Sequence, residues 1–301
     1  MNHPPVLTSI RFYPIKSCGA VFLNTAYAGP RGLESGHIID RSWMIVDQNG
    51  VLVSQREKPA LARVGIELLG ETADRFRVAA TGIAPLVLDA ATVGDDRRKI
   101  IIHGKETVGH LAPQDVHEWF SRYLGEPVQV VHQKQDDVRL CDPNFALHPE
   151  LDSVSFADGF PYLVTTEATL AKLNLLLDHA VAMSRFRPNL VFGATAADAE
   201  YGWEEISFGA ASLSLVKPCT RCVVTTIDQI TGEKTGNQPL ATLAQNYFLS
   251  HNVGSKRVQG AVFGENAIAT IYGRISVGDE VYAIVTKPAP NFRRREPRLS
   301  T

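Results

Sequence analysis

Short apolar runs separated by turn residues dominate the first third of the chain: LTSIRFYPI, SWMIVD, VLVSQ, RVGIELL, RFRVAA, PLVLDA and KIIIHG. They are rich in Val, Ile and Phe, which fit a pleated, half-buried surface, and Gly70, Asp74 and Gly82 punctuate them. SWMIVD and VLVSQ meet at Gln48-Asn49-Gly50, where Asn-Gly supplies the positive φ angles of a tight hairpin turn. A small barrel or sandwich would bury these strands.

Helical spacing interrupts the pattern. Residues 113–124 open on a proline, place Val116, Trp119, Phe120 and Tyr123 on one stripe and stop at Gly125, which makes this segment a hinge between two halves. A second helix opens at Thr165-Thr166-Glu167, with a capping hydroxyl and a carboxylate at the positive helix end, and continues through Leu170, Leu173 and Leu177. A third spans Pro239 to Phe248, among the strand candidates NLVFG, ISFGAASLSLV, CVVTTID, RVQGAVFG, AIATIYG and DEVYAIV. Strands without regularly alternating helices argue against a doubly wound parallel sheet, so the expected class is mainly β with a few helices (α+β). From Lys287 the chain loses periodicity and turns basic, and residues 288–301 are expected to form a tail.

Composition narrows the functions. A content of 45% hydrophobic residues in 301 supports a sizeable core, and 30 Lys and Arg against 32 Asp and Glu give no global basic field for nucleic acid. No apolar stretch reaches the roughly 20 residues that span a bilayer, and MNHPPVLTSIRFYPIKS lacks a signal peptide's order, so a cytoplasmic protein with no membrane partner is expected. Four cysteines are too few for a disulfide scaffold.

Only Cys219 and Cys222 lie close together, in Lys217-Pro-Cys219-Thr220-Arg221-Cys222. A thioredoxin-like pair prefers a helix N-terminus, whereas Val, Ile and Thr follow here; a structural zinc site needs a second ligand pair, which the scattered histidines do not offer; two small buried residues beside a proline turn remain the plain alternative. Arg221 between two soft sulfurs suits a ligand that is anionic at one point and metal-bearing at another. Tyr13-Pro-Ile-Lys16-Ser17-Cys18 and Ser184-Arg185-Phe-Arg187-Pro-Asn189 repeat the cationic theme in proline-containing turns, Asp40-Arg41 precedes the hairpin, and Asp158-Gly159 precedes the capped helix.

YPIKSC, DRSWMIVDQNG, FADGFPYLVTTEATLAKLN, RFRPNLV, VKPCTRCVVTTIDQITGEK and GRISVGDEVY occur in that order. In this the chain resembles the molybdenum-cofactor enzymes that join an N-terminal β-barrel domain to a MOSC domain, the group of the mitochondrial amidoxime-reducing component and its bacterial relatives. The resemblance implies an N-terminal barrel over residues 1–125 and a MOSC domain over 126–287. It implies a molybdenum cofactor (molybdopterin) whose metal takes Cys222 as its protein ligand and catalytic residue, Cys219 being a neighbour. Lys16, Ser17, Arg41, Arg187, Asn189, Thr220 and Arg221 would surround the pterin and its phosphate.

The activity implied is two-electron reduction of N-hydroxylated compounds: amidoximes, N-hydroxylamines and N-hydroxylated purines. Some bacterial relatives carry a C-terminal ferredoxin domain with a C-x4-C-x2-C cluster, and no cysteine follows Cys222 here. The expected electron donor is therefore a separate protein of flavin reductase, ferredoxin or cytochrome type. The alternative within the same resemblance is a non-catalytic cofactor carrier or sulfurtransfer protein.

Overall fold

The computed structural model describes residues 3–70, 74–253 and 256–292. Strands dominate it, with three α-helices among the described residues, Gln114–Leu124, Glu167–Asn174 and Leu240–Asn246, in line with a mainly β chain. The largest sheet runs Val21–Leu23, Val6–Phe12, Leu190–Gly193, Tyr162–Thr166, Lys256–Ile271, Ala211–Thr220, Trp203–Phe208, Val281–Thr286, and Phe248–Val253 pairs with Lys256–Ile271 off this path. A second sheet orders Arg97–Ile102, Lys105–Leu111, Gln129–His132 and Trp43–Val46; a third, Gly273–Ser276, Thr25–Gly29, Gly32–Ser35 and Ile38–Ile39; a fourth, Gly65–Leu69, Arg75–Ala80 and Ile83–Asp89. In three of these four sheets, strands from before residue 125 pair with strands after it. One such pairing, Val6–Phe12 against Leu190–Gly193, brings the turn bearing Lys16 and Ser17 toward Arg187 and Asn189.

Local chemistry accounts for most elements and for the departures. The Gln114–Leu124 helix buries Val116, Trp119 and Phe120 and ends on Gly125 at φ 71°, the left-handed cap that glycine takes without a Cβ clash. Thr166 caps the second helix by accepting the Thr169 N–H at 3.2 Å. This helix stops at Asn174, short of Leu177, because the Asn174 amide both donates to Val181 O at 3.1 Å and accepts its N–H at 2.9 Å, drawing the chain into a loop.

Around Asn49-Gly50 only Gly50 has positive φ; the Asp47 carboxylate accepts the N–H groups of Asn49 and Val51 at 2.9 and 2.8 Å and shapes the turn instead. The two-residue turn with positive φ at both positions lies at His103-Gly104, φ 50° and 78°, between Ile102 and its cross-strand partner Lys105. CVVTTID, expected as a strand, is instead a 3-10 helix over Val223–Thr226. Its Thr225 and Thr226 hydroxyls donate back to Cys222 O and Val223 O at 2.9 and 2.7 Å, a local alternative to a strand ladder. Of the expected tail, Phe292 packs on the rings of Tyr201 and Tyr247, and Arg293, Arg294, Arg295 and Arg298 lie outside the described residues. Among the described residues no helix is long and apolar enough to cross a membrane.

Candidate active site

The end of the Ala211–Thr220 strand, the turn after Val6–Phe12 and the His103 hairpin open onto one cavity of about 740 Å³. Lys16, Ser17, Arg41, Arg187, Asn189, Thr220, Arg221 and Cys222 all line it, as does Cys219. Arg185 turns away and bonds Asp228 Oδ2 at 3.1 Å. Of the six non-glycine residues with positive φ among the described residues, four line this cavity: Ser17, Arg41, His103 and Arg187. Such backbone costs of order 1–3 kcal/mol at a non-glycine residue and clusters where side chains must be aimed.

Two guanidinium groups form the cavity's deep wall. Arg41 and Arg187 lie over the ring of Tyr13, each 4.4 Å from its centroid, so one buried aromatic ring is in contact with both cations. Arg41 is held by the Asp40 carboxylate, by Asn189 Oδ1 at 3.2 Å and by Arg187 O at 3.0 Å. Asp40 in turn accepts the Tyr13 N–H at 2.8 Å. Arg187 donates through Nη1 to Gln229 Oε1 at 3.1 Å, and Gln229 bonds Gln55, whose amide reaches Ser17 O at 2.6 Å. Burial pushes the Arg187 pKa below the usual arginine value, against the aid of Tyr13. Its Nη2 is buried without a partner, and so is Arg221 Nε. A buried charged donor left unpaired is costly, so both atoms are suited to an anionic ligand.

The thiols occupy different surroundings. Arg221 donates to Cys219 Sγ at 3.0 Å and to Phe186 O at 2.7 Å. Cys222 begins the Val223–Thr226 turn, and its sulfur faces Arg56. Burial opposes the Arg56 charge, but Cys222, Asp158 and Glu57 overcome that and raise its pKa. Cys18 is fully buried and its thiol is pushed up to about 12 by burial, which leaves it inert at neutral pH. Among the described residues no group of three or more His, Cys, Asp or Glu could hold a metal ion by itself.

On the opposite rim Lys16 pairs with Asp158, and Lys16 holds that carboxyl well below the usual carboxylate range. Arg139 fixes the loop by donating to Ser155 O and Ala157 O, both at 2.7 Å, and to Asp158 O at 3.0 Å. His103 Nε2 lies 3.1 Å from Asp158 Oδ1, and His103 Nδ1 lies 3.4 Å from Arg56 Nη1. Sequence reasoning missed Gln55, Arg56, His103, Arg139 and Gln229. Only the His-Gly turn between two apolar runs hints at any of them; the others reach the site through tertiary packing.

Two family models match: the MOSC N-terminal β-barrel domain over residues 5–127 and the MOSC domain over residues 152–282. Mitochondrial amidoxime-reducing component 1 of Homo sapiens is 31% identical over 90% of this chain and 81% of its own length. The Mus musculus protein of the same name is 30% identical over 90% and 80%. Mitochondrial amidoxime reducing component 2 of Bos taurus is 29% identical over 93% and 83%. The chain therefore belongs to the family that joins a MOSC N-terminal β-barrel domain to a MOSC domain and includes the mitochondrial amidoxime-reducing components.

Proposed function

We propose that this chain is a molybdenum-cofactor-dependent oxidoreductase of the cytoplasm that reduces N-hydroxylated compounds with electrons from a separate donor protein. The observation that carries the reading is the pair of buried, unpartnered guanidinium nitrogens, Arg187 Nη2 and Arg221 Nε, on residues that line the same cavity as the Cys222 thiol. That donor set fits a cofactor that brings its own metal coordination and its own phosphate.

In this reading Cys222 is the single protein ligand of the metal. Arg41, Arg187, Arg221 and Lys16 neutralise the cofactor's negative charge, and Ser17, Asn189 and Thr220 fix its polar edges. The Arg41–Asp40–Tyr13 and Arg187–Gln229–Gln55 chains hold two of these guanidinium groups in place before the cofactor arrives. When bound, the cofactor would supply a two-electron centre able to reduce an N–OH group. The relatives named as amidoxime-reducing make amidoximes the first substrates to try.

The test is metal and pterin analysis of protein purified from a host that makes the cofactor, followed by turnover of benzamidoxime with reduced viologen. About one molybdenum per chain, with turnover, is expected. Molybdenum and pterin without turnover would make the chain a cofactor carrier, and absence of both would return the thiols to other chemistry.

A further inference from the structure

We propose that His103 is the acid of this cavity, supplying a proton to the oxygen that leaves the N-hydroxylated substrate. The inference deepens the reading above and rests on it. His103 stands at the tip of the hairpin between Arg97–Ile102 and Lys105–Leu111, lines the cavity and keeps 31% of its side chain exposed.

Its two ring nitrogens have unlike neighbours. Arginine only donates, so the nitrogen facing Arg56 at 3.4 Å, Nδ1, is bare in the neutral ring, and Nε2–H donates to Asp158 at 3.1 Å. A carboxylate bonded to one nitrogen orients the ring and fixes which nitrogen is bare, an arrangement found where histidine moves protons. Asp158 stays ionised for this task because Lys16 pairs with it.

The charged groups facing His103 come from every wall. Asp158 and Arg56 contact the ring, Lys16 and Arg139 flank Asp158, and Lys105 and Glu106 lie on the following strand and line the same cavity. With Nε2–H committed to Asp158, Nδ1 is the nitrogen at which the ring both takes up a proton and gives it away. The 3.4 Å contact to Arg56 lies at the long end of hydrogen bonding and leaves that nitrogen available.

Reduction of an amidoxime breaks one N–O bond and consumes two electrons from the donor protein and two protons. One proton converts the leaving hydroxide to water, and the other goes to nitrogen to give the amidine. His103 provides the first, and solvent restores it.

Two variants of the cofactor-loaded protein test this. His103→Gly suits the positive φ and opens room for free imidazole; His103→Gln keeps a donor to Asp158 but cannot titrate. Both should hold parental molybdenum and lose about 10²-fold in kcat with KM little changed. Imidazole should restore much of the His103→Gly rate and none of the His103→Gln rate. Independently of turnover, 15N spectra of the oxidised holoprotein should show His103 as the Nε2–H tautomer, lost in Asp158→Ala, which removes the acceptor. A kcat within about threefold of the parent in His103→Gly, or an Nδ1–H tautomer, overturns the inference alone. A parent protein without molybdenum overturns the function and the inference with it.

Discussion

Two polar regions lie on opposite faces of the Lys256–Ile271 strand, and they handle charge in opposite ways. Asn266 faces the cavity, and the preceding residue, Glu265, points to the other side, toward Glu200, Tyr201 and Lys287. In the cavity Asp158 is open to solvent and directly paired, and Lys16 holds its carboxyl well below 3.8. On the far side Glu200 and Glu265 are fully buried, and burial lifts both, Glu200 to about 7. Lys287 approaches Glu265 only to 3.7 Å, too far for a hydrogen bond, so desolvation prevails there. The sheet thus separates a wet face that keeps its charges for a ligand from a dry face that suppresses them.

The largest effect should come from Cys222→Ala. If the wet face is built around one thiolate ligand, the variant loses both bound molybdenum and turnover while remaining folded. Full turnover with the cofactor retained would break the comparison at its centre.

Next are Arg187→Ala and Arg221→Ala, each removing a guanidinium with a buried nitrogen that has no hydrogen-bond partner. A charge-assisted hydrogen bond contributes about 1.5–3 kcal/mol, so cofactor retention should weaken roughly 10- to 150-fold. Dissociation of molybdopterin under dilution measures this. Equal retention in variant and parent would show that these nitrogens face no anion.

How much of this contrast can be read from the chain depends on the range of the interactions. Arg75–Ala80 alternates exposed and buried positions as RFRVAA predicts, and Gly125 ends its helix where the apolar stripe runs out. The cationic turns were legible because each sits in a short motif. Their convergence was not, because the pairing of Val6–Phe12 with Leu190–Gly193 spans more than half the chain and leaves no local trace. The Val223–Thr226 turn shows the converse failure: β-branched residues favour strand, and two threonine hydroxyls bonding backward prevail. Arg56 and His103 belong to no motif, and only folding sets them between Cys222 and Asp158.

The dry face predicts a pH dependence of its own. Both glutamates have an unfolded value near 4.5, and the folded value is raised, so the native state holds protons that the unfolded chain has released. Their contribution to stability is complete below about pH 4.5 and is lost as pH rises, through about 7 for Glu200 and about 8 for Glu265. Asp158 has the opposite sign: its folded value is depressed, so its contribution is present above 3.8 and fades as pH falls further. Urea midpoints should therefore fall between pH 5 and pH 8, and Glu265→Gln should flatten the decline. An unchanged slope in Glu265→Gln would mean that the buried acid is already ionised.

The smallest effect is expected within the cavity itself, at Cys219. It lies three residues from Cys222, yet its sulfur accepts from Arg221 at 3.0 Å while the Cys222 sulfur faces Arg56. A serine oxygen keeps an acceptor for Arg221, so Cys219→Ser should lose no more than about 1 kcal/mol, the net worth of one ordinary hydrogen bond. Molybdenum content and turnover should stay near the parent's. In a thiol–disulfide mechanism the two sulfurs exchange one bond, and removing either is equally damaging. Equal loss in Cys219→Ser and Cys222→Ser would therefore overturn the single-ligand assignment, because an asymmetric pair of thiols is what sets this cavity apart from a redox couple.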